Sequence, residues 1–260
     1  MQSSVTALKS YGQHFLTDNE VLKKIISTIN SYFNNERIIE IGPGTGALTD
    51  FLLKEFISVT CIEVDRRCVE FLNNKYTPDK FKLTIIEADF LQHDLSLLLQ
   101  TPVAIVGNFP YNISSQIVFK ILDHYTSIPF MVGMFQKEMA LRIASPHGSK
   151  EYGVISVFAQ LFYDVKMEFE ILPQSFSPPP KVMSGVISMK RKENINLDFD
   201  IKLFKQIVKA GFNQRRKMLR NGLSSIAPKT LLHETIFTKR AEQLSVQDFI
   251  DLTKMIAANR

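Results

Sequence analysis

Arg37-Ile38-Ile39-Glu40-Ile41-Gly42-Pro43-Gly44-Thr45-Gly46 decides the fold. An apolar, β-branched run reads as a buried strand, the glycines as a turn, and residues 47–55 as a helix. The same unit recurs on the C-terminal side. A strand at 58–62 leads to a helix at 66–75, a strand follows at 83–87, and a strand at 103–107 leads to a helix at 114–124. Such alternation predicts an α/β protein: a parallel sheet with helices on both faces. Further on come a strand at 130–135, helices at 137–144 and 154–162, and strands at 165–171 and 182–189. The last two have no helix between them and are expected to pair antiparallel.

Their connection, Leu172-Pro173-Gln174-Ser175-Phe176-Ser177-Pro178-Pro179-Pro180, excludes helix through its prolines and reads as a stiff surface loop. After Met189 the chain turns polar, and everything beyond reads as helical. A boundary near Lys192 gives domains 1–192 and 193–260, the second small and all-α.

The 260 residues, 45% hydrophobic and 22% charged, exclude a disordered chain. Without a bilayer-length apolar run, and with no apolar leader in residues 1–9, the expected location is cytoplasmic and the protein has no membrane partner. Cys61 and Cys68 share no metal-ligand spacing with His14, His93, His124, His147 or His233, so free thiols and no metal are expected. Residues 191–260 hold 14 Lys plus Arg against 7 Asp plus Glu, whereas the rest holds 17 against 19. A basic segment on a neutral body is the footprint of a polyanion-binding protein.

The glycine loop reads as a cofactor site, because Gly42 and Gly44 let a ligand approach the backbone and the following helix offers unpaired N–H groups. Gly42-x-Gly44-x-x-Ala47 also fits the dinucleotide fingerprint. Glu63, at the end of the second strand, is placed to take the hydroxyls of a ribose. Asp65 caps the helix starting at Arg66. Asp89, past the third strand, suits the amine of an adenine.

Asn108-Phe109-Pro110-Tyr111 ends the fourth strand, where open parallel sheets bind ligands. An aromatic amine is a poor nucleophile, since its lone pair is delocalised into the ring. A site that makes it react must hold both N–H groups on fixed acceptors and turn the lone pair to an electrophile. The Asn108 amide and the Pro110 carbonyl supply two acceptors, and Tyr111 supplies a stacking face worth about 1–3 kcal/mol. Hydride transfer requires none of these. Phe176 is the candidate for the opposite face of the base.

In the tail, residues 201–222 read as one helix carrying Lys202, Lys205, Lys209, Arg216 and Arg220 in one stripe, with Phe204, Val208, Gly211 and Leu219 opposite. This stripe, with Arg215 and Lys217, is the candidate phosphate-binding surface. Arg215 projects toward the apolar side, and the cluster 213–217 has the cleft between the domains as its other possible direction.

Gly12-Gln13-His14-Phe15-Leu16, residues 40–46, Glu63-Val64-Asp65, Ala88-Asp89, residues 107–112, Gln136-Lys137-Glu138, residues 176–182 and residues 212–217 together resemble the KsgA-type ribosomal RNA adenine dimethyltransferases over nearly the whole chain. The resemblance implies a Rossmann-like class I methyltransferase domain, with a mostly parallel seven-stranded sheet and one antiparallel strand, plus a small helical domain. It implies S-adenosyl-L-methionine as cofactor and two adjacent adenosines near the 3′ end of small-subunit rRNA, in a pre-ribosomal 30S particle, as substrate, with the chain acting as a monomer. Carried over, His14, Leu16, Gly42, Gly44, Glu63, Asp89 and Asn108 contact the cofactor, and residues 108–111 hold the target amine. His14 stands where many members have Asn, and Phe109 where Leu is usual. Macrolide-resistance methyltransferases of the large subunit share the catalytic motifs, but Phe212-Asn213-Gln214-Arg215-Arg216-Lys217 resembles the small-subunit branch. A nicotinamide-dependent oxidoreductase and a non-catalytic rRNA-binding assembly factor are the rival classes.

Overall fold

The structure, a computed structural model, describes residues 5–8, 12–33, 37–76 and 82–260. The stretch read for a leader, residues 1–9, lies partly outside the described residues. No described helix is long and apolar enough to cross a membrane. The chain forms two compact units, Met1–Ala140 with Asp164–Arg191, and Leu141–Tyr163 with Lys192–Arg260.

The first unit begins with β1 (Phe15–Leu16), α1 (Asn19–Tyr32), β2 (Arg37–Ile41), α2 (Thr49–Glu55), β3 (Ser58–Glu63), α3 (Arg66–Lys75) and β4 (Leu83–Glu87). It continues with β5 (Ala104–Asn108), α4 (Ser114–Asp123), β6 (Phe130–Gln136) and the first half of α5 (Lys137–Ala144), and, after the second unit's α6 (Val154–Phe162), with β7 (Tyr163–Ile171), β8 (Phe176–Ser177) and β9 (Ser184–Arg191). Seven strands form one sheet in the order β4-β3-β2-β5-β6-β9-β7. The pairs from β4 through β6 are parallel, and β9 lies antiparallel on β6. Central strands are buried on both faces, as Ile38, Ile39, Ala104, Ile105 and Val106 are, and so read as continuous apolar runs. The chain winds outward in opposite directions from β2 and β5, which opens a crevice beyond their carboxyl ends.

One feature of β5 and β6 shapes that crevice. Gly107 and Gly133 face each other across the sheet, and the Phe109 ring lies over both. A Cβ on Gly133 would overlap that ring, and one on Gly107 would sit 2.8 Å from it. Phe109 is thereby sunk to 1% exposure, edge-on to Phe135 at 5.1 Å, and forms the floor under its neighbours. On the other side of the crevice β1 pairs with β8, Leu16 opposite Phe176. Asp18 caps α1 through the N–H groups of Glu20 and Val21, and the Ser175 hydroxyl donates to it at 2.8 Å, pinning the proline-rich loop to the helix start.

The second unit is helical, but it differs from the sequence reading in two respects. First, it takes in residues 141–163, which the sequence pattern places in the first domain. α6 is buried nearly all round, so it has to be enclosed; Phe158 lies against Phe204 at 6.1 Å, and the Gln160 amide bonds the carbonyls of Ile143 and Ser145. Second, residues 201–222 are not one helix. α7 (Ile201–Asn213) ends at Gln214, the chain turns with Lys217 N–H on the Gln214 carbonyl at 2.7 Å, and α8 (Leu219–Gly222) folds back. The return sets Leu219 against Gly211 and Gly222 against the Ala210 carbonyl, and buries Leu219 and Leu223. α9 (Val246–Ala258) closes the unit, capped by Ser245.

Replacing Gly133 with Ala is expected to displace the Phe109 ring and destabilise the protein by about 1–3 kcal/mol. Chemical denaturation, read as a lower midpoint, checks this.

Candidate active site

At the end of β2 the chain must turn sharply, and Gly42, Gly44 and Gly46 do so with φ of 66°, 58° and 80°. Gly44 has no room for a side chain, because a Cβ there would lie 2.7 Å from the Phe15 ring. Its N–H donates to Glu63 Oε2 at 3.0 Å, and the Asp65 N–H donates to Glu63 Oε1 at 2.9 Å. Glu63 is 5% exposed; burial raises its carboxyl, and those two donors pull the other way. Each oxygen retains a lone pair, so the carboxylate is set to receive a pair of hydroxyls. Asp65 caps α3 as expected, and the Arg67 guanidinium beside it holds its carboxyl down to about 2. Between the two acids Val64 lines the pocket with an exposed apolar side chain.

Asn108, Phe109, Pro110 and Tyr111 line the same pocket, together with Gly12, Gln13 and His14. The Asn108 Nδ2 donates to the His14 carbonyl at 2.7 Å. A carbonyl can only accept, so this bond fixes which end of the amide is which and leaves Oδ1 as an unspent acceptor. The Pro110 carbonyl accepts one long bond from Ile113 N–H, 3.2 Å, and keeps its second lone pair. Tyr111 is half-buried; its hydroxyl bonds the Ser184 hydroxyl at 2.7 Å, its ring stacks beside His14 at 5.7 Å, and burial raises its phenol. The His14 Nδ1 donates in turn to the Pro178 carbonyl at 2.7 Å.

Other expected residues fall elsewhere. Phe176 was expected across the base from Tyr111, but its ring is 3% exposed and packs with Leu16 in the core; the alternation of β8 turns Ser177 outward instead. Leu16 lines a smaller pocket under the glycine loop, with Glu40, Leu48 and Met134. Asp89 is exposed just past β4, its carboxylate bonded to the Leu91 N–H. Lys202, Lys205 and Lys209 are exposed on α7, while Arg216 and Lys217 lie in the turn and Arg220 on α8, so the basic residues do not form one helical stripe. Arg215 is half-buried and bonds the carbonyls of Ser149 and Lys150, with Glu242 4.0 Å away. Among the described residues no group of three or more His, Cys, Asp or Glu is gathered as for a metal ion.

The glycine turn, Glu63 and the segment from Asn108 to Tyr111 thus line one pocket beyond the carboxyl ends of the strands. A family model described as "Ribosomal RNA adenine dimethylase" matches residues 5–258. The chain belongs to the ribosomal RNA adenine dimethylase family. It is similar to a protein of Cytophaga hutchinsonii named "Ribosomal RNA small subunit methyltransferase A", 46% identical over 97% of this chain and 98% of that one. A protein of the same name from Flavobacterium johnsoniae is 48% identical, over 98% and 97%. Among solved structures, a dimethyladenosine transferase from Plasmodium falciparum superposes with a TM-score of 0.82 at 25% identity, covering 94% of this chain and 98% of that one. The fold is that of the class I S-adenosylmethionine-dependent methyltransferases, as the sequence implied.

In this dimethylase Val64, Gln13 and Glu40 also line the pockets, although no motif assigns them a role. Val64 carried a signal, an apolar residue isolated between two acids at a strand end. Gln13, whose amide bonds Asp65 at 2.8 Å, carried none apart from the resemblance. Glu40 is 2% exposed, accepts the Thr49 hydroxyl at 2.6 Å and lies 3.7 Å from the Cys61 sulfur. Burial pushes its carboxyl up to about 7. The folded state thus keeps a proton that the unfolded chain, with its ordinary value of 4.5, releases, and stability declines as pH rises from about 4.5 to about 7. Glu40→Gln is expected to flatten that decline and to equal or exceed the parent in stability above pH 7, as thermal unfolding across the range reports.

Proposed function

We propose that the chain transfers methyl groups from S-adenosyl-L-methionine to N6 of two adjacent adenosines near the 3′ end of small-subunit rRNA, giving N6,N6-dimethyladenosine in a pre-ribosomal 30S particle. The observation that carries this reading is the Asn108 amide, whose free end is Oδ1 because Nδ2 is held by His14. An amine-binding site needs an acceptor there, and the opposite orientation would set donor against donor.

The donor set fits the cofactor. Glu63 has an acceptor on each oxygen for the ribose hydroxyls, the glycine turn leaves room at the methionine end, and Val64 offers an apolar face to a purine. Asp89 is the acceptor proposed for the adenine amine, while His14 and Leu16 close the N-terminal side. When bound, S-adenosyl-L-methionine supplies a methyl group on a positively charged sulfur.

The chain's own residues then do the rest. A target adenosine turned out of its RNA stack rests on Tyr111, whose ring is kept in place by Ser184 and His14. Asn108 Oδ1 and the Pro110 carbonyl accept the two N6–H groups and hold the amine so that its lone pair points to the methyl, and positioning supplies most of the rate. Pro110 tolerates the second transfer, after one N–H has gone, because its carbonyl already has the Ile113 N–H as a partner. The amine's proton leaves to water. Exposed Lys202, Lys205, Lys209, Arg216, Lys217 and Arg220 contact rRNA phosphates, and Arg215 shapes the loop at 149–150 that accompanies them. The enzyme acts as a monomer in the cytoplasm.

Asn108→Ala is expected to reduce transfer by at least about a hundredfold while the unfolding midpoint stays within a few degrees. The assay is labelled S-adenosylmethionine with undermodified small subunits, followed by nucleoside analysis. Near-normal turnover in the variant would remove the site assignment, and label confined to large-subunit RNA would remove the substrate.

A further inference from the structure

Lys120, on α4, holds a position that the mechanism above does not use. Its ammonium donates to three backbone carbonyls, Phe90 at 2.6 Å, Leu91 at 3.1 Å and His93 at 2.6 Å, so all three of its protons are committed. The Phe90 ring lies 5.1 Å from the same nitrogen. These carbonyls belong to a single turn that starts at Asp89. The Asp89 carboxylate accepts the Leu91 N–H at 2.8 Å, and its carbonyl accepts the N–H groups of Gln92 and His93 at 3.0 and 2.8 Å. The turn is a helical fragment too short to stand alone: Asp89 satisfies the donors at its start, and Lys120 satisfies the acceptors at its end.

α4 also touches the amine-holding segment, since the Ser114 hydroxyl at its first residue donates to the Tyr111 carbonyl at 3.1 Å. The helix therefore runs as a strut from Tyr111 to the Asp89 turn. Burial draws the Lys120 ammonium below its ordinary value, and the charges of Asp89 and Asp94 oppose that. A cation drawn from water to hold three carbonyls is a strong constraint on a surface turn.

We propose that Lys120 is a positioning residue for the adenine of the cofactor: by closing the 89–93 turn it fixes the direction of the Asp89 carboxylate. This rests on the assignment of Asp89 to the adenine amine. If it holds, Lys120→Met weakens every adenosine-bearing ligand by the same factor, about tenfold, whatever is attached at the 5′ position. The probes are S-adenosylmethionine, S-adenosylhomocysteine and 5′-deoxy-5′-methylthioadenosine, titrated calorimetrically into the full chain. The KM for cofactor rises while the KM for small subunits does not.

A double-mutant cycle separates this role from mere stabilisation. In an Asp89→Ala background Lys120→Met is expected to add nothing to the loss of affinity, because the group it aims is already gone. Additive losses, or a Lys120→Met protein with a lower unfolding temperature and unchanged affinities, would overturn the proposal. Should Asp89→Ala itself leave the three affinities intact, the assignment of Asp89 fails, which is a separate result. Lys120→Gln, which keeps two donors, serves the same comparison if the Met variant does not fold.

Discussion

A primary amide looks nearly the same from either end, so a site built on Asn108 needs something to tell its two ends apart. The carbonyl of His14 does this. It takes the NH2 end, and by doing so it also ties the chain ahead of β1 across the carboxyl edge of the sheet. The remaining parts of the pocket depend on the same arrangement. Phe109 supports Asn108 from below in the space left by two facing glycines, and Tyr111 is braced by Ser184 on one side and His14 on another. His14 thus connects Asn108, Tyr111 and the proline-rich loop through its carbonyl, its ring and its Nδ1.

Much of the architecture was legible because it follows from periodicity. The alternation of strand and helix from β2 through β6 required a parallel sheet, and glycines at a strand end required a turn. Glu63 was marked by its place at the end of the next strand, where the N–H groups of Gly44 and Asp65 hold its carboxylate. Strand ends shifted by a residue or two, as boundaries do when the terminal hydrogen bonds decide them.

What was not legible depended on partners distant in the chain. Phe176 and Ser177 form a strand of only two residues, and which one faces inward is decided by the register with β1, some 160 residues earlier. Arg215 carried the pattern of a phosphate ligand, yet carbonyls at 149 and 150 occupy its guanidinium. The break after Asn213 lacked a proline or a strong cap, and it accompanies the burial of Leu219 and Leu223 in the return. Glu40 was quoted as part of the glycine motif, but nothing in its neighbours announced that its carboxyl would be wholly enclosed.

The helical unit is sewn from two pieces of chain, and this has a consequence for synthesis. α6, apolar on nearly every side, leaves the ribosome before the strands β7 to β9 have been made and well before α7 and α9, which enclose it, exist. Until α9 emerges, its greasy surface has to wait unsheltered, so the emergence of α9 governs when this half of the protein stops being sticky.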